Sequence, residues 1–335
     1  MSKKSFRESI NEAIAQEMRR DDDVILIGED VAGGAGTKGD QDAWGGPMGV
    51  TKNLAPEFGR ERIIDAPITE SAIVGTAAGA ALTGLRPIAD LMFVDFLGVC
   101  FDQIFNQAAK FRYMFGGKAI TPLTIRTMYG GGVRAASQHS QSLYPIFTHI
   151  PGLKVVIPSN PYDAKGLFVQ SIRDNDPVIF LEHKMLYDDV GEVPDELYTI
   201  PFGEANFTRE GSDITIISMG KTVNLCNEVA DEMKKENISC TVLDLRTLSP
   251  LDEESILEAT EETGKVIIVD ESYPRCNIAT DISALICEKA FSYLKAPIKM
   301  VTPPHTPVPF SPALEDLYLP SSKKIKDAIK SILKD

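Results

Sequence analysis

Cysteine, histidine and tryptophan are scarce in this chain, at five, four and one of 335 residues. The cysteines Cys100, Cys226, Cys240, Cys276 and Cys287 are odd in number, widely spaced and never in a CxxC pair, so the pattern gives neither a zinc site nor a disulfide framework. Most lie among apolar neighbours and read as reduced packing residues. Four histidines do not make a histidine-rich metal centre. No run approaches the roughly 18 apolar residues that span a bilayer, and the opening MSKKSFRESINEAIAQEM lacks the apolar core and cleavage site of a secretory leader. A cytoplasmic protein without membrane contact is expected. Positive charge is also short: 34 Lys and Arg against 48 Asp and Glu give −14, which argues against a nucleic-acid partner. No GxGxxG follows a strand, no GxxxxGK precedes Ser or Thr, and no GxSxG elbow occurs. These absences count against a dinucleotide-binding oxidoreductase, a P-loop enzyme and a serine hydrolase.

What is present is a regular alternation. At 335 residues two domains are the natural expectation. Ser5 and Glu8 stand at capping-box spacing before a helical pattern that runs to about Arg20, so a helix opens the fold. Continuous apolar runs follow, VILIGED, RIIDAPI, PIADLMFV, LTIRT, LKVVIPS and PVIFLEH, of the kind buried on both faces of a parallel sheet. Helical segments lie between them over 71–84, 95–115 and 160–174. Strands alternating with helices predict an α/β fold of two doubly wound domains. The acidic, proline-containing stretch 186–203 separates a first domain, 1–185, from a second, 204–335, where the alternation resumes with helices near 221–236, 252–263 and 277–294. A lysine-rich amphipathic helix ends the chain.

Several residues could carry chemistry. In DAPITESAIVGTAAGAALTGLRP, Glu70 sits where polar residues give way to small apolar ones. It serves either as a first-turn anion on the helix dipole or as a desolvated carboxylate that shares a proton with a ligand. Gly75, Gly79 and Gly84 sacrifice helix propensity, about 1 kcal/mol each relative to alanine, which makes sense if another helix packs closely. The glycine-rich GEDVAGGAGTKGDQDAWGGPMG reads as an active-site or interface loop anchored by Trp44 rather than a phosphate cradle. A second long loop carries His139 among Gly, Ser and Gln; it is a solvated loop histidine or a functional one. His149 looks like a packed turn residue, and His183 and His305 have no evident partner. Phe96, just after a strand, is a core residue or a platform for a flat heterocycle.

Taken together, LIGEDVA, IIDAPITESAIVGTAAG, FDQIFNQAAKFRYMFGG, QHSQ, HIPGLKVVIPSNPYDAKGL and IRDNDPVIFLEHK, in that order, resemble the beta subunits of the thiamine-diphosphate-dependent component of 2-oxo acid dehydrogenase complexes. The resemblance covers nearly the whole chain. The segments GGAGTKGDQDAWGGPMGVTKNL and MFVDFLGVCFDQIF look most like the acetoin dehydrogenase branch. It implies a pyrimidine-binding thiamine diphosphate domain followed by a transketolase C-terminal-like domain. It implies Glu70 hydrogen-bonded to the cofactor's aminopyrimidine, Phe96 stacked on that ring, and His139 facing the reacting carbon to assist acyl transfer to a lipoyl group. It also implies a potassium ion held at Leu123, Ser171, Ile172, Asp174 and Asp176. In the family a GDG segment holds Mg²⁺ and the diphosphate; this sequence lacks one, so the resemblance implies that this half of the site comes from an alpha subunit in an α₂β₂ heterotetramer. A lipoyl-bearing acyltransferase is the further partner. The implied reaction cleaves acetoin to acetaldehyde and transfers the acetyl unit; the alternatives are decarboxylation of pyruvate or a branched-chain oxo acid, and a noncatalytic scaffold.

Overall fold

Residues 178 to 181 show how the chain is layered: Val178 and Phe180 belong to one buried apolar core, Ile179 and Leu181 to another. Side chains of a strand alternate in direction, so the two cores lie on opposite faces of one sheet. The computed structural model describes residues 1–33 and 45–334; Trp44 and the centre of its glycine-rich loop lie outside the described residues.

That sheet has seven strands, in the spatial order Thr247–Ser249, Lys154–Val156, Val178–His183, Thr124–Tyr129, Arg86–Phe93, Val24–Gly28 and Ile63–Asp65. All neighbours run parallel except Thr247–Ser249, which comes from the second half of the chain and pairs antiparallel with Lys154–Val156. The helices Phe6–Arg20 and Pro161–Arg173 cover one face; Glu70–Leu82 covers the other. The first helix opens on the capping box: Glu8 N–H donates to Ser5 Oγ at 3.3 Å and Ser5 N–H to Glu8 Oε2 at 2.7 Å. A charge is also built into the sheet. Arg126 donates at 2.7 Å to one oxygen of Glu182 and also bonds its other oxygen and Asp90, all three groups buried.

The second sheet has five strands, ordered Lys299–Val301, Val266–Val269, Ile214–Ser218, Cys240–Asp244 and Asn206–Arg209, with only the last antiparallel to its neighbour. Its helices are Lys221–Lys234, Glu253–Thr263, Ile278–Lys289 and the closing Ser322–Lys334.

Three local expectations change. A strand, Ser2–Ser5, precedes the first helix and pairs antiparallel with Val190–Val193, so part of the acidic linker is a strand as well. The segment expected as one helix over 95–115 is broken into a 3₁₀ turn Val94–Phe96, a helix Leu97–Asp102, a π turn Gln103–Ala108 and a helix Phe111–Met114. It packs against Glu70–Leu82, where a Cβ on Gly75 would stand 3.2 Å from Gln103 Cγ, so Gly75 is the glycine of the three that lies at the close helix approach. Gly79 and Gly84 meet nothing within 4 Å, and the face Ala72, Thr76, Gly79 of that helix is exposed within this chain. Of the five cysteines, three are buried; Cys276 and Cys287 are exposed.

Candidate active site

Parallel α/β sheets place ligands at the carboxyl ends of their strands, where strand order reverses. Here the chain leaves Val24–Gly28, lays Ile63–Asp65 on one side of it and then Arg86–Phe93 on the other. The reversal therefore lies between Gly28 and Phe93, and the candidate residues gather at that edge. Glu29 follows Gly28, Asp95 and Phe96 follow Phe93, the loop with His139 follows Tyr129, and Lys184 follows His183. Glu70 opens the helix that follows Ile63–Asp65.

Glu70 is half-buried, in the first turn of its helix with Thr69 at the N-cap. The backbone N–H groups and dipole of that turn favour its negative charge. Its charge is felt by two neighbours. Burial, then Asp30, Glu70 and Asp90 push the Glu29 carboxyl up, and burial followed by Glu70 pushes the Cys100 thiol up to about 12. Acids thus crowd this end of the sheet.

Phe96 and His139 meet. Phe93, Phe96 and His139 form an edge-to-face triangle, with His139 at 5.0 Å from Phe93 and 5.4 Å from Phe96, and the two phenyl rings 5.6 Å apart. The 3₁₀ turn Val94–Phe96 directs Phe96 back toward the loop; a continuous helix would not have required it. Asp95, between Phe93 and Phe96 in the sequence, accepts from Gln141 N–H at 3.1 Å and from Gln141 Nε2 at 2.9 Å through Oδ1. Its Oδ2 and the hydroxyl of Ser140 are buried without a hydrogen-bond partner among the described residues. Buried polar atoms are normally paired, so these two oxygens are open to a polar partner.

Lys184 is a member of the site that sequence reading missed. Its ammonium donates to the His139 carbonyl and lies 5.4 Å from the Phe93 ring centroid. Burial pushes its pKa down to about 8, against the pull of Asp95, Glu271 and Glu315. The signal was a lysine directly after a buried strand, in FLEHK. His183 has a partner after all, Glu271, at 2.9 Å. His149 is exposed at the rim of a broad groove, and the exposed His305 touches Tyr273 edge-on.

At the corner implied for potassium, backbone N–H groups and nearby cations engage several of the oxygens. The carbonyls of Ile172 and Asp174 both accept from Arg86 Nη1, at 3.1 and 3.2 Å, and the Leu123 carbonyl accepts from Val178 N–H at 2.8 Å. Lys154 holds the Asp174 carboxylate at 2.6 Å, Arg112 pairs with Asp176, and the Ser171 carbonyl accepts from Asp174 N–H at 3.3 Å. Arg86 meets the electronegative end of the helix Pro161–Arg173, and each of these carbonyls retains a second lone pair.

The family model for the transketolase pyrimidine-binding domain matches residues 2–189, and that for the transketolase C-terminal domain matches 203–325. The beta subunit of acetoin:2,6-dichlorophenolindophenol oxidoreductase from Cupriavidus necator is 62% identical over 99% of this chain and 98% of its own length. The chain belongs to the family of dehydrogenase beta subunits built on these two domains. Its counterpart from Bacillus subtilis is 58% identical over 98% of this chain and 97% of that subunit. Beta subunits of 2-oxoisovalerate and pyruvate dehydrogenases are more distant, at 43% and 41%. Among solved structures, a split-gene transketolase described as an inactive beta4 tetramer superposes with a TM-score of 0.78 at 20% identity, over 98% of each chain, which speaks for the fold alone. Among the described residues no helix is long and apolar enough to cross a membrane.

Proposed function

We propose that this chain is the beta subunit of a thiamine-diphosphate-dependent acetoin dehydrogenase component, which cleaves acetoin to acetaldehyde and passes the remaining acetyl unit to a lipoyl group. The observation that carries this reading is the 62% identity to an acetoin oxidoreductase subunit over nearly the full length, against 43% for a 2-oxoisovalerate one. In this reading residues 1–185 bind the pyrimidine half of the cofactor, 186–203 link, and 204–335 serve assembly and docking.

Thiamine diphosphate would supply a carbon nucleophile able to hold the electron pair released when the substrate's carbon–carbon bond breaks. Glu70 would bond its aminopyrimidine, and the unpartnered oxygens of Asp95 and Ser140 add polar atoms on the Phe96 side. Bound there, the ring nitrogen would find in the Glu70 carboxyl the group that holds and returns its proton. Phe96 limits the ring's position. As acetoin cleaves, its hydroxyl proton leaves and the carbinol carbon becomes the aldehyde carbonyl, while the bonding pair stays with the two-carbon fragment. In the second half-reaction one lipoyl sulfur takes the acyl group. The other would leave as a thiolate and gain a proton, which His139 would supply.

The cofactor's diphosphate and Mg²⁺ are assigned to an alpha subunit, and the assembly to an α₂β₂ heterotetramer that hands its acetyl unit to a lipoyl-bearing acyltransferase. An apolar surface supports a partner: Ile68, Val99, Phe105, Tyr113, Met114 and Phe115 are exposed around the glycine-rich helix. A potassium ion at Leu123, Ser171, Ile172, Asp174 and Asp176 stays part of this reading, beside the contacts that Arg86, Lys154 and Arg112 make to that corner.

The test is to co-purify the chain with its alpha partner, add thiamine diphosphate and Mg²⁺, and follow dye reduction with acetoin, pyruvate and 3-methyl-2-oxobutanoate. Acetoin should be preferred. Preference for either oxo acid rejects the acetoin assignment, and activity of this chain by itself rejects the shared site.

A further inference from the structure

The loop that carries His139 leaves its strand through Gly130, Gly131 and Gly132, and each glycine is pressed by a side chain. A Cβ on Gly130 would run into the imidazole of His183, one on Gly131 would stand 2.9 Å from Leu319 Cδ2, and one on Gly132 3.0 Å from Met185 Cγ. Gly130 and Gly132 also have φ of +91° and +99°, the left-handed region that glycine enters without cost.

Two buried carboxylates hold the backbone there, and both come from the second half of the chain. Glu271 Oε1 accepts from Gly131 N–H at 2.7 Å, and Oε2 lies 2.9 Å from His183 Nε2. Met185 N–H donates to His183 Nδ1 at 3.1 Å, which assigns the ring proton to Nε2 and makes His183 a donor to Glu271. Burial pushes the Glu271 carboxyl up, but His183, the Gly131 N–H and Lys184 outweigh it and hold it below the usual range. Glu315 Oε1 accepts from Gly132 N–H at 2.9 Å and Oε2 from Arg134 Nη1 at 2.7 Å, while Asp316 takes Arg134 Nη2 at 2.6 Å. Glu271 is 8% exposed and Glu315 0%. At the far end of the loop, the Tyr273 hydroxyl donates to Gln141 Oε1 at 3.3 Å. His139 stands between these two moorings.

A surface loop is ordinarily satisfied by water, whereas burying a carboxylate is costly unless it is fully bonded. Two such groups on consecutive glycines fix the loop far more tightly than loop closure needs. We infer that Glu271 and Glu315 are positioning residues for His139, so that the second half of the chain sets the acyl hand-off to the lipoyl group by keeping the imidazole against Phe93 and Phe96. The inference rests on the role proposed above for His139. Positional error of about 1 Å can cost on the order of 100-fold in such a step.

The test uses the assembled complex with its alpha partner, thiamine diphosphate and Mg²⁺. E271Q keeps an acceptor for Gly131 but can turn an amide N–H against His183 Nε2–H; E315Q keeps the Gly132 bond and loses the Arg134 ion pair. Dye reduction with acetoin reads cleavage without the lipoyl step, and acetylation of an isolated lipoyl domain reads the hand-off. In each variant kcat for lipoyl acetylation should fall about ten-fold or more, with KM for the lipoyl domain unchanged and dye reduction within about three-fold of wild type. In an H139A background the same changes should add little, because an effect that acts through His139 disappears with it. Hydrogen exchange of the peptide spanning 130–142 should quicken in both variants in the absence of substrate. Equal losses in the two assays, full additivity with H139A, or unchanged exchange would each overturn the inference. A wild-type complex that prefers pyruvate refutes only the substrate assignment, and the same comparison is then made with pyruvate.

Discussion

The imidazole of His139 meets the ring of Phe96 edge to face, centroids 5.4 Å apart and planes at 86°. These residues lie on different crossovers of the sheet, and their meeting brings a phenyl ring and an imidazole together at the carboxyl ends of Arg86–Phe93 and Thr124–Tyr129. Edge-to-face pairs contribute roughly 0.5–1.5 kcal/mol beyond area burial. Phe96→Ala should therefore weaken thiamine diphosphate binding to the assembled complex by about ten-fold and loosen His139, as read by calorimetric titration of the cofactor. Unchanged affinity would remove Phe96 from the cofactor site.

Glu70→Gln replaces the carboxylate with an amide of the same shape in a first helical turn. Assembly and thermal midpoint should stay close to wild type, because a first-turn anion is worth about 1 kcal/mol or less. Acetoin-dependent dye reduction should fall by about 10²–10⁴-fold, the range general acid–base groups supply. Normal turnover would return Glu70 to the role of a helix-start anion and favour the scaffold reading.

Arg126 is the cationic partner of two buried carboxylates, Asp90 and Glu182. Arg126→Met removes that partner and leaves both acids in the sheet. A loss of about 3–5 kcal/mol is expected from the urea midpoint, the range found when one member of a buried ion pair is deleted. A loss under about 1 kcal/mol would mean that water reaches the acids.

Lys184 gives a pH signature with a definite sign. Its pKa is near 8 in the folded chain because burial disfavours the charged amine, whereas an unfolded lysine titrates at its ordinary 10.5. Between those values the unfolded chain holds more protons than the folded one, so this group makes stability rise with pH. Below about 8 both forms are protonated and its burial cost is fully present. Urea midpoints at pH 7.5, 8.5 and 9.5 should show wild type gaining on Lys184→Met as pH rises. A pH-independent difference would place the amine in water.

Much of this architecture can be read from local patterns. The Ser5–Glu8 capping box, the all-apolar strands and the change of character at Thr69–Glu70 each announce their structure within a few residues. What cannot be read locally is pairing at a distance. Glu271 and Glu315 lie 140 and 183 residues from the glycines they hold, and neither stands in a motif. The break at 94–114 was hidden for a different reason: the segment has helical periodicity, and only its packing on the 70–82 helix, with Gly75 opposite Gln103, reveals the irregular turns. The strand Val190–Val193 escaped because acidic and proline-containing flanks mask a short edge pairing.

The strand Thr247–Ser249, contributed by one half to the other's sheet, has a consequence for how the molecule can be divided. Severing the polypeptide between its halves would strip the larger sheet of its border and expose the hydrogen-bonding rim of Lys154–Val156 to association with other chains. Expressed as separate fragments, the two pieces should be less soluble than when produced together, where that missing border can be restored from outside.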